Sequence, residues 1–184
     1  MRGKSHITLG QYLIKHYMQN LPGHHIKAFL IGCIEPDRNP ATYIKGSLRC
    51  QWLRGHNYRN ARRFMRKISI RLEQKQTLNV LDYYALGKLI HYTADAFTSA
   101  HNADFAATLS DHRLYEIQLQ DYFLAYLKED PAVNPHTAKS IMEVIGRYHR
   151  EYSRQLSDVH RDSTFALHAC CSVLSILTFS PTIR

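Results

Sequence analysis

Residues 79–105 read NVLDYYALGKLIHYTADAFTSAHNADF, and the part of this stretch from Val80 to about His101 is predicted to form a helix. His91 and Asp95 are four residues apart, so both side chains project from one helical face, about 6 Å from each other. Two side chains with that spacing can share one metal ion. The small residues around the pair leave room for other helices and ions to approach closely. They are Ala94, Ala96, Ser99 and Ala100.

A second pair follows in the next predicted helix, where His112 and Glu116 are again four residues apart. His101 lies about 9 Å beyond Asp95 along the helix axis and is rotated away, so it would serve a neighbouring ion, unless the helix has already ended. His101 with His112 and Glu116 would give two histidines and one glutamate. A catalytic zinc ion has this kind of ligand set, which leaves a fourth position open for water or substrate.

Three further residues are candidate ligands, and the last two of them could lean over a site on the helix of His91 and Asp95. They are His6, Asp37 and His56. Spacing alone leaves another interpretation open, since such pairs are also common on solvated helix faces as simple hydrogen-bonded pairs. The remaining histidines are assigned to surface or ordinary core positions. They are His16, His24, His25, His136, His149, His160 and His168.

Helical periodicity recurs along the chain, and no segment shows the sustained alternation of a strand. Helices are predicted over about residues 7–20, 57–76, 80–101, 111–128, 135–156 and 159–179, with a short apolar segment at 26–34. Two prolines predict a loop at residues 35–40. Asn134 and Asp158 are the predicted caps of the last two helices. The pattern predicts an all-α fold, a compact multi-helix domain of six to seven helices with a metal cluster between helices.

The length of 184 residues suits a single domain over residues 1–184, and an apolar fraction of 45% is well above the range of disordered chains. The N-terminal residues MRGKSHITLG have no apolar run behind their positive charges, so no secretory signal is indicated and a cytoplasmic location is expected. The four cysteines form no C-x-x-C pair, which argues against a disulfide framework. The apolar run in the last predicted helix, Thr164 to Ser180, is shorter than the roughly 20 residues of a membrane span and ends at a proline, so a buried core helix is favoured.

The formal charge of +9 favours an anionic partner, and basic side chains line one face of the helix between Arg59 and Lys75. This face could bind an anionic membrane surface or nucleic acid, or it could simply be solvated. Nucleic acid is the less favoured partner, because aromatic residues are not interleaved with the basic ones as base stacking would require.

The order and spacing of the candidate ligands resemble those of the zinc-dependent phospholipase C family, whose fold is all-helical and whose site holds up to three zinc ions. Single-strand-specific nucleases share that fold. The family signature is His-x₃-Asp-x₅-His followed by His-x₃-Glu, and residues 91–116 contain it as His91, Asp95, His101, His112 and Glu116. The upstream matches follow in the family's order: His6, Gly32…Pro36-Asp37 and His56.

By this resemblance, one zinc ion would be bound by Asp37, His56, His91 and Asp95. The second would be bound by His101, His112 and Glu116. His6 and a bridging Asp95 would contribute to a third. The cofactor implied is therefore Zn²⁺, in two or three ions.

The resemblance implies a metal-dependent hydrolase that cleaves phosphodiester bonds, phospholipase C-like on a phospholipid or related phosphoester substrate, by a zinc-activated hydroxide. Asp37 is the candidate catalytic residue that would assist proton transfer. The alternatives are a single-strand nuclease-like phosphodiesterase on the same metal site and a non-catalytic metal-binding protein. In secreted members an N-terminal tryptophan binds the third zinc ion, whereas this chain begins Met1-Arg2-Gly3-Lys4.

Overall fold

The structure, a computed structural model, describes residues 1–39, 58–99, 109–156 and 158–179. Over these ranges the chain forms seven helices and no strand, which confirms the all-α prediction. The helices are α1 (Gly3–Tyr17), α2 (Gly23–Arg38), α3 (Tyr58–Glu73), α4 (Val80–Asp95), α5 (Leu109–Lys128), α6 (Ile141–Tyr152) and α7 (Val159–Phe179).

Side-chain caps determine where several helices begin. Asn79 and Asp82 form a capping box at the start of α4, in which each side chain accepts a hydrogen bond from the other residue's backbone N–H. At α7 the predicted cap is confirmed, because Asp158 Oδ1 accepts a hydrogen bond of 2.8 Å from the backbone of Arg161. The cap predicted at Asn134 is wrong. α6 begins only at Ile141, where the Ser140 hydroxyl accepts from the backbone of Glu143 at 3.2 Å.

The loop predicted at residues 35–40 is wrong over its described part, because α2 continues through Pro36 to Arg38. A proline inside a helix removes one backbone hydrogen bond. Here the last turn is closed by other bonds, since the backbone N–H of Asn39 donates to the Glu35 carbonyl at 2.9 Å and its side-chain amide donates to Glu35 Oε1 at 2.6 Å. The additional turn places Asp37 on a helix and not in a loop.

α4 lies at the centre of the packing and contacts α1, α2, α3 and α7. Most of its residues from Leu86 onward are buried, including polar ones. α7 is also buried along most of its length, as predicted for a core helix. In the described ranges no helix is both long and apolar enough to cross a membrane.

α2 and α4 approach each other until their backbones are in contact, and two glycines permit this. A Cβ atom on Gly32 would lie 2.2 Å from the carbonyl oxygen of Tyr84, and one on Gly87 would lie 2.1 Å from the carbonyl oxygen of Phe29. Both distances are far inside van der Waals contact and both involve backbone atoms, which cannot move without moving a helix. Any side chain at either position would therefore separate α2 from α4.

Replacing Gly87 with alanine should lower the free energy of unfolding by about 3 kcal/mol, since overpacking a rigid contact costs that much. The matched control is Gly146→Ala in α6, where the new Cβ would meet only the flexible end of Arg150 at 3.6 Å. Alanine there should raise the free energy of unfolding by up to about 1 kcal/mol, because it is the better helix former. Urea denaturation of the three proteins would measure both effects, and a Gly87→Ala protein as stable as wild type would contradict the close contact.

Candidate metal centre

Four side chains from three helices converge on one point in the core. They are His6 of α1, Asp37 of α2, and His91 and Asp95 of α4, and each offers a ligand atom within 4.8 Å of the others. Asp95 Oδ1 lies 3.2 Å from Nε2 of His6, and Asp95 Oδ2 lies 3.3 Å from Nε2 of His91. Asp37 Oδ1 lies 3.5 Å from the same nitrogen of His91. Two imidazoles and two carboxylates are donors that zinc accepts.

The orientation of His91 is set by α2. Its Nδ1 lies 2.9 Å from the backbone carbonyl oxygen of Cys33. Because a carbonyl can only accept a hydrogen bond, Nδ1 carries the hydrogen, and in the neutral ring Nε2 is left with its lone pair facing Asp37 and Asp95. Metal-binding histidines are commonly oriented in this way. The contact depends on the neighbouring Gly32, whose lack of a side chain allows the α2 backbone to reach α4.

Burial keeps His6 in the form that can bind a metal ion. The side chain is 1% exposed, and its burial together with the neighbouring His91 lowers the pKa of His6 to about 3. The ring is therefore neutral near pH 7 and retains a lone pair for a cation. The two imidazoles are stacked, with ring centroids 3.9 Å apart. Burial also lowers the pKa of His91, but the carboxylates of Asp95 and Asp37 outweigh it and raise that pKa above its usual value.

A positive charge already lies beside the carboxylates. The amino group of Met1 is 2.9 Å from Asp95 Oδ1 and 3.7 Å from Oε1 of Glu116 in α5. Burial lowers the pKa of this amino group, but Asp95 and Glu116 raise it above its usual value. The contact places Glu116 next to the four converging residues. The ammonium group is thus the positive partner of both carboxylates.

The structure brings together part of the predicted ligand set. His6, Asp37, His91 and Asp95 converge, and Glu116 reaches the same place. His56 and His101 lie outside the described residues, and only the backbone of His112 is described, within α5. The ligand roles of all eight residues remain predictions. The helix end predicted near His101 is wrong, because α4 ends at Asp95, and the alternative of an earlier end is confirmed.

Two groups at the centre were missed by the sequence analysis, and both are backbone groups. The carbonyl of Cys33 is one turn before Asp37 on α2, so it could have been found only if the helix had been predicted to continue through Pro36. The amino group of Met1 has no signal in the spacing of side chains. Residue types predict side-chain ligands better than the main-chain groups that orient them.

The helices and the buried residues at their centre define an all-helical protein with a site of histidines and aspartates suited to a divalent metal ion. The model of the zinc dependent phospholipase C family matches residues 5–174, and the chain belongs to that family. At the level of the family it is therefore a zinc-dependent, phospholipase-like hydrolase. Comparison with curated proteins and with solved structures found no match.

Asp95→Ala should remove most of the bound zinc, because this carboxylate contacts both His6 and His91. We expect two or three zinc ions per chain in wild-type protein purified without added metal or a histidine tag, measured by elemental analysis. The matched control is Asp121→Ala, which removes an exposed carboxylate of α5 and should leave the metal content unchanged. An Asp95→Ala protein with the wild-type zinc content would show that the four residues do not form the metal centre.

Proposed function

We propose that this chain is a zinc-dependent phosphodiesterase of the phospholipase C type, which hydrolyses a phospholipid or a related phosphoester. The observation that carries the proposal is the convergence of His6, Asp37, His91 and Asp95 within 4.8 Å of one another, in a chain of the zinc-dependent phospholipase C family. The residues come from three helices far apart in sequence, and a solvated helix pair would not bring them together.

The proposed centre contains two or three zinc ions and eight ligands. Five ligands are the side chains described above, and the other three are His56, His101 and His112. Asp95 is suited to bridging two ions, because its two oxygens face different groups. Oδ1 lies beside His6 and the Met1 amino group, whereas Oδ2 lies beside His91. A carboxylate in this position can neutralise two neighbouring cations at once.

Zinc ions bound here would supply a Lewis acid for the phosphoryl oxygens and lower the pKa of water to about 7. The chain's own part would be to place a base beside that water. Asp37 is suited to this role because its side chain is 26% exposed, whereas those of His6, His91 and Asp95 are fully buried. Asp37 can therefore contact solvent and hold a proton at its carboxylate while the buried ligands stay fixed.

The proposal is tested by assaying zinc-loaded protein on a panel of phosphatidylcholine, other phospholipids and single-stranded nucleic acid. We expect phospholipid hydrolysis to diacylglycerol and a phosphorylated headgroup. Asp37→Asn should lower kcat by about 100-fold to 10,000-fold if Asp37 assists proton transfer. Asp121→Asn, the same change at an exposed site, should not alter it.

Each other result of the panel has a definite meaning. Cleavage of nucleic acid alone would favour the nuclease-like alternative on the same centre. Zinc-loaded protein that cleaves no member of the panel would overturn the proposal and favour a non-catalytic metal-binding protein. Zinc content of Asp37→Asn is measured in parallel, and loss of zinc there would assign Asp37 as a ligand only.

An anionic membrane surface is the proposed site of encounter with substrate. α3 presents five exposed basic side chains, which we call the basic face: Arg59, Arg62, Arg63, Arg66 and Lys67. Among the described residues none of the five has an acidic partner. The basic pattern does not continue unpaired toward residue 75, because Arg71 and Lys75 both bind the buried carboxylate of Asp82.

The aromatic residues of α3 favour a membrane over nucleic acid as the partner of the basic face. Tyr58 is stacked on His149 at 3.8 Å between ring centroids, and Phe64 packs edge-on against Tyr92. Both rings are engaged inside the fold, so they are not available to stack on bases, as single-strand binding would require. Unpaired surface arginine and lysine are sufficient for attraction to anionic lipid.

Replacing Arg63, Arg66 and Lys67 together with glutamine should weaken binding to phosphatidylserine-containing vesicles. Each basic residue near such a surface contributes about 1 kcal/mol, so we expect the affinity to fall about 100-fold. Vesicle co-sedimentation would measure the change, with pure phosphatidylcholine vesicles as the uncharged surface.

The matched control carries the same change in net charge at exposed basic residues elsewhere. It replaces Lys128, Lys139 and Arg154 with glutamine. This protein should bind anionic vesicles nearly as wild type does. An equal loss in both triple variants would mean that total charge, and not the basic face, determines binding.

A further inference from the structure

Another buried carboxylate, remote from the four converging residues in sequence, connects several helices. Asp162 lies in the first turn of α7 and is completely buried. Its Oδ2 accepts hydrogen bonds from the backbone N–H of Ser99 at 2.7 Å and from the hydroxyl of Tyr115 at 2.6 Å. Its Oδ1 accepts a hydrogen bond from the hydroxyl of Tyr152 at 2.6 Å. One side chain of α7 thus binds the segment after α4, α5 and α6.

The donors around Asp162 form a fixed arrangement. The Ser99 hydroxyl lies 2.9 Å from Asp162 Oδ2 and 2.8 Å from the Tyr115 oxygen, and its one hydrogen can point to either. Burial and the bond to Asp162 raise the pKa of Tyr115, so its phenol keeps its proton and remains a donor. Hydrogen bonds to a carboxylate are roughly twice as strong as those between neutral groups, and such a buried network is rigid.

Two of the segments that Asp162 binds also carry ligands of the proposed centre. Ser99 is four residues after Asp95, just past the end of α4. Tyr115 immediately precedes Glu116 on α5. Oε1 of Glu116 lies 3.7 Å from the Met1 amino group, which is itself 2.9 Å from Asp95 Oδ1. Asp162 therefore ties together the two segments whose carboxylates meet at the centre.

In the described residues α5 makes little direct contact with α4. Packing between these two helices therefore does little to set the distance between Glu116 and Asp95. α5 contacts chiefly α7 and α1, and α4 contacts both of these helices as well. The position of Glu116 relative to Asp95 is therefore set through α1 and α7, and on α7 Asp162 accepts hydrogen bonds from both segments. Groups that orient metal ligands in this way typically change metal affinity by 10-fold to 100-fold when they are removed.

We propose that Asp162 is a positioning residue of the metal centre, which acts through Ser99 and Tyr115 to hold Glu116 at the distance from Asp95 that shared ions require. The inference rests on the proposed function, because it takes Glu116 as a metal ligand. If Asp162 had a purely structural role, it would stabilise the fold through all its partners alike and would have no particular effect on the position of Glu116 in α5. The two tyrosines that bind Asp162 distinguish these roles.

Tyr115→Phe and Tyr152→Phe are matched variants, since each removes one phenol hydroxyl that donates to Asp162 at 2.6 Å. Both should lower Tm by a similar amount. Zinc affinity of the full-length proteins, measured by competition with a chromophoric chelator, should fall at least about 10-fold in Tyr115→Phe. It should remain within about 2-fold of wild type in Tyr152→Phe, because Tyr152 does not lie beside a ligand. Equal zinc affinities in the two variants would overturn the inference.

A double-mutant cycle shows whether Tyr115 acts through Glu116. Glu116→Gln should itself weaken zinc binding, and adding Tyr115→Phe should then cause little further loss, because the ligand that Tyr115 positions is already gone. Additive losses would overturn the inference while leaving Glu116 as a ligand. Wild-type zinc affinity in Glu116→Gln would remove Glu116 from the proposed ligand set, and the inference would fall with it.

A conservative replacement of Asp162 should preserve part of the zinc affinity that alanine at this position would lose. Asp162→Asn keeps an oxygen for the donors at Oδ2, and its amide group can donate to the hydroxyl of Tyr152. It should retain zinc affinity better than Asp162→Ala, which removes every one of these bonds. An alanine variant that folds and binds zinc as tightly as the asparagine variant would count against positioning by Asp162.

Discussion

The backbone contact between Gly32 and Gly87 is the constraint on which the centre depends. Only helices without side chains at the crossing can approach until a Cβ would lie 2.1 to 2.2 Å from a neighbouring carbonyl oxygen. At that separation the carbonyl next to Gly32 accepts a hydrogen bond from His91, which turns the other ring nitrogen toward the carboxylates. One turn later on the same helix, Asp37 comes within 3.5 Å of that nitrogen. If α2 and α4 were further apart, His91 would lose both its hydrogen bond to the Cys33 carbonyl and its contact with Asp37.

Two fully buried aspartates show two solutions to the cost of burying a carboxylate. Asp162 is surrounded by hydroxyl and backbone N–H donors from three other segments, so its charge is satisfied by fixed neutral groups. Asp95 instead faces an ammonium group and two imidazoles, which are groups that a cation can replace or bind. The first arrangement resists change and suits a structural anchor. At Asp95 a metal ion could replace the ammonium group as the positive partner, which suits a metal ligand.

The sequence predicted side-chain patterns well and main-chain geometry poorly. The spacing of His91 and Asp95 placed both on one helical face, and the structure has them there, because helical periodicity is a local property. Continuation of α2 through Pro36 contradicted a local rule, since bonds at the end of the helix compensate for the proline. Asp162 has no distinguishing feature in the sequence, because its partners are 10 to 63 residues away. His56, His101 and the side chain of His112 lie outside the described residues, so their part in the site stays a prediction.

Exposure indicates the side from which a substrate would reach the proposed centre. Of the five described side chains in the proposed ligand set, only Asp37 and Glu116 are partly exposed, at 26% and 22%. They belong to α2 and α5, whereas the buried ligands come from α1 and α4. On the proposed function, a phosphoester would reach the centre past these two acidic side chains, which would repel it unless bound cations neutralised them. Substrate binding would then depend on metal binding, because the carboxylates that repel an anion from the empty centre would bind the ions that attract it.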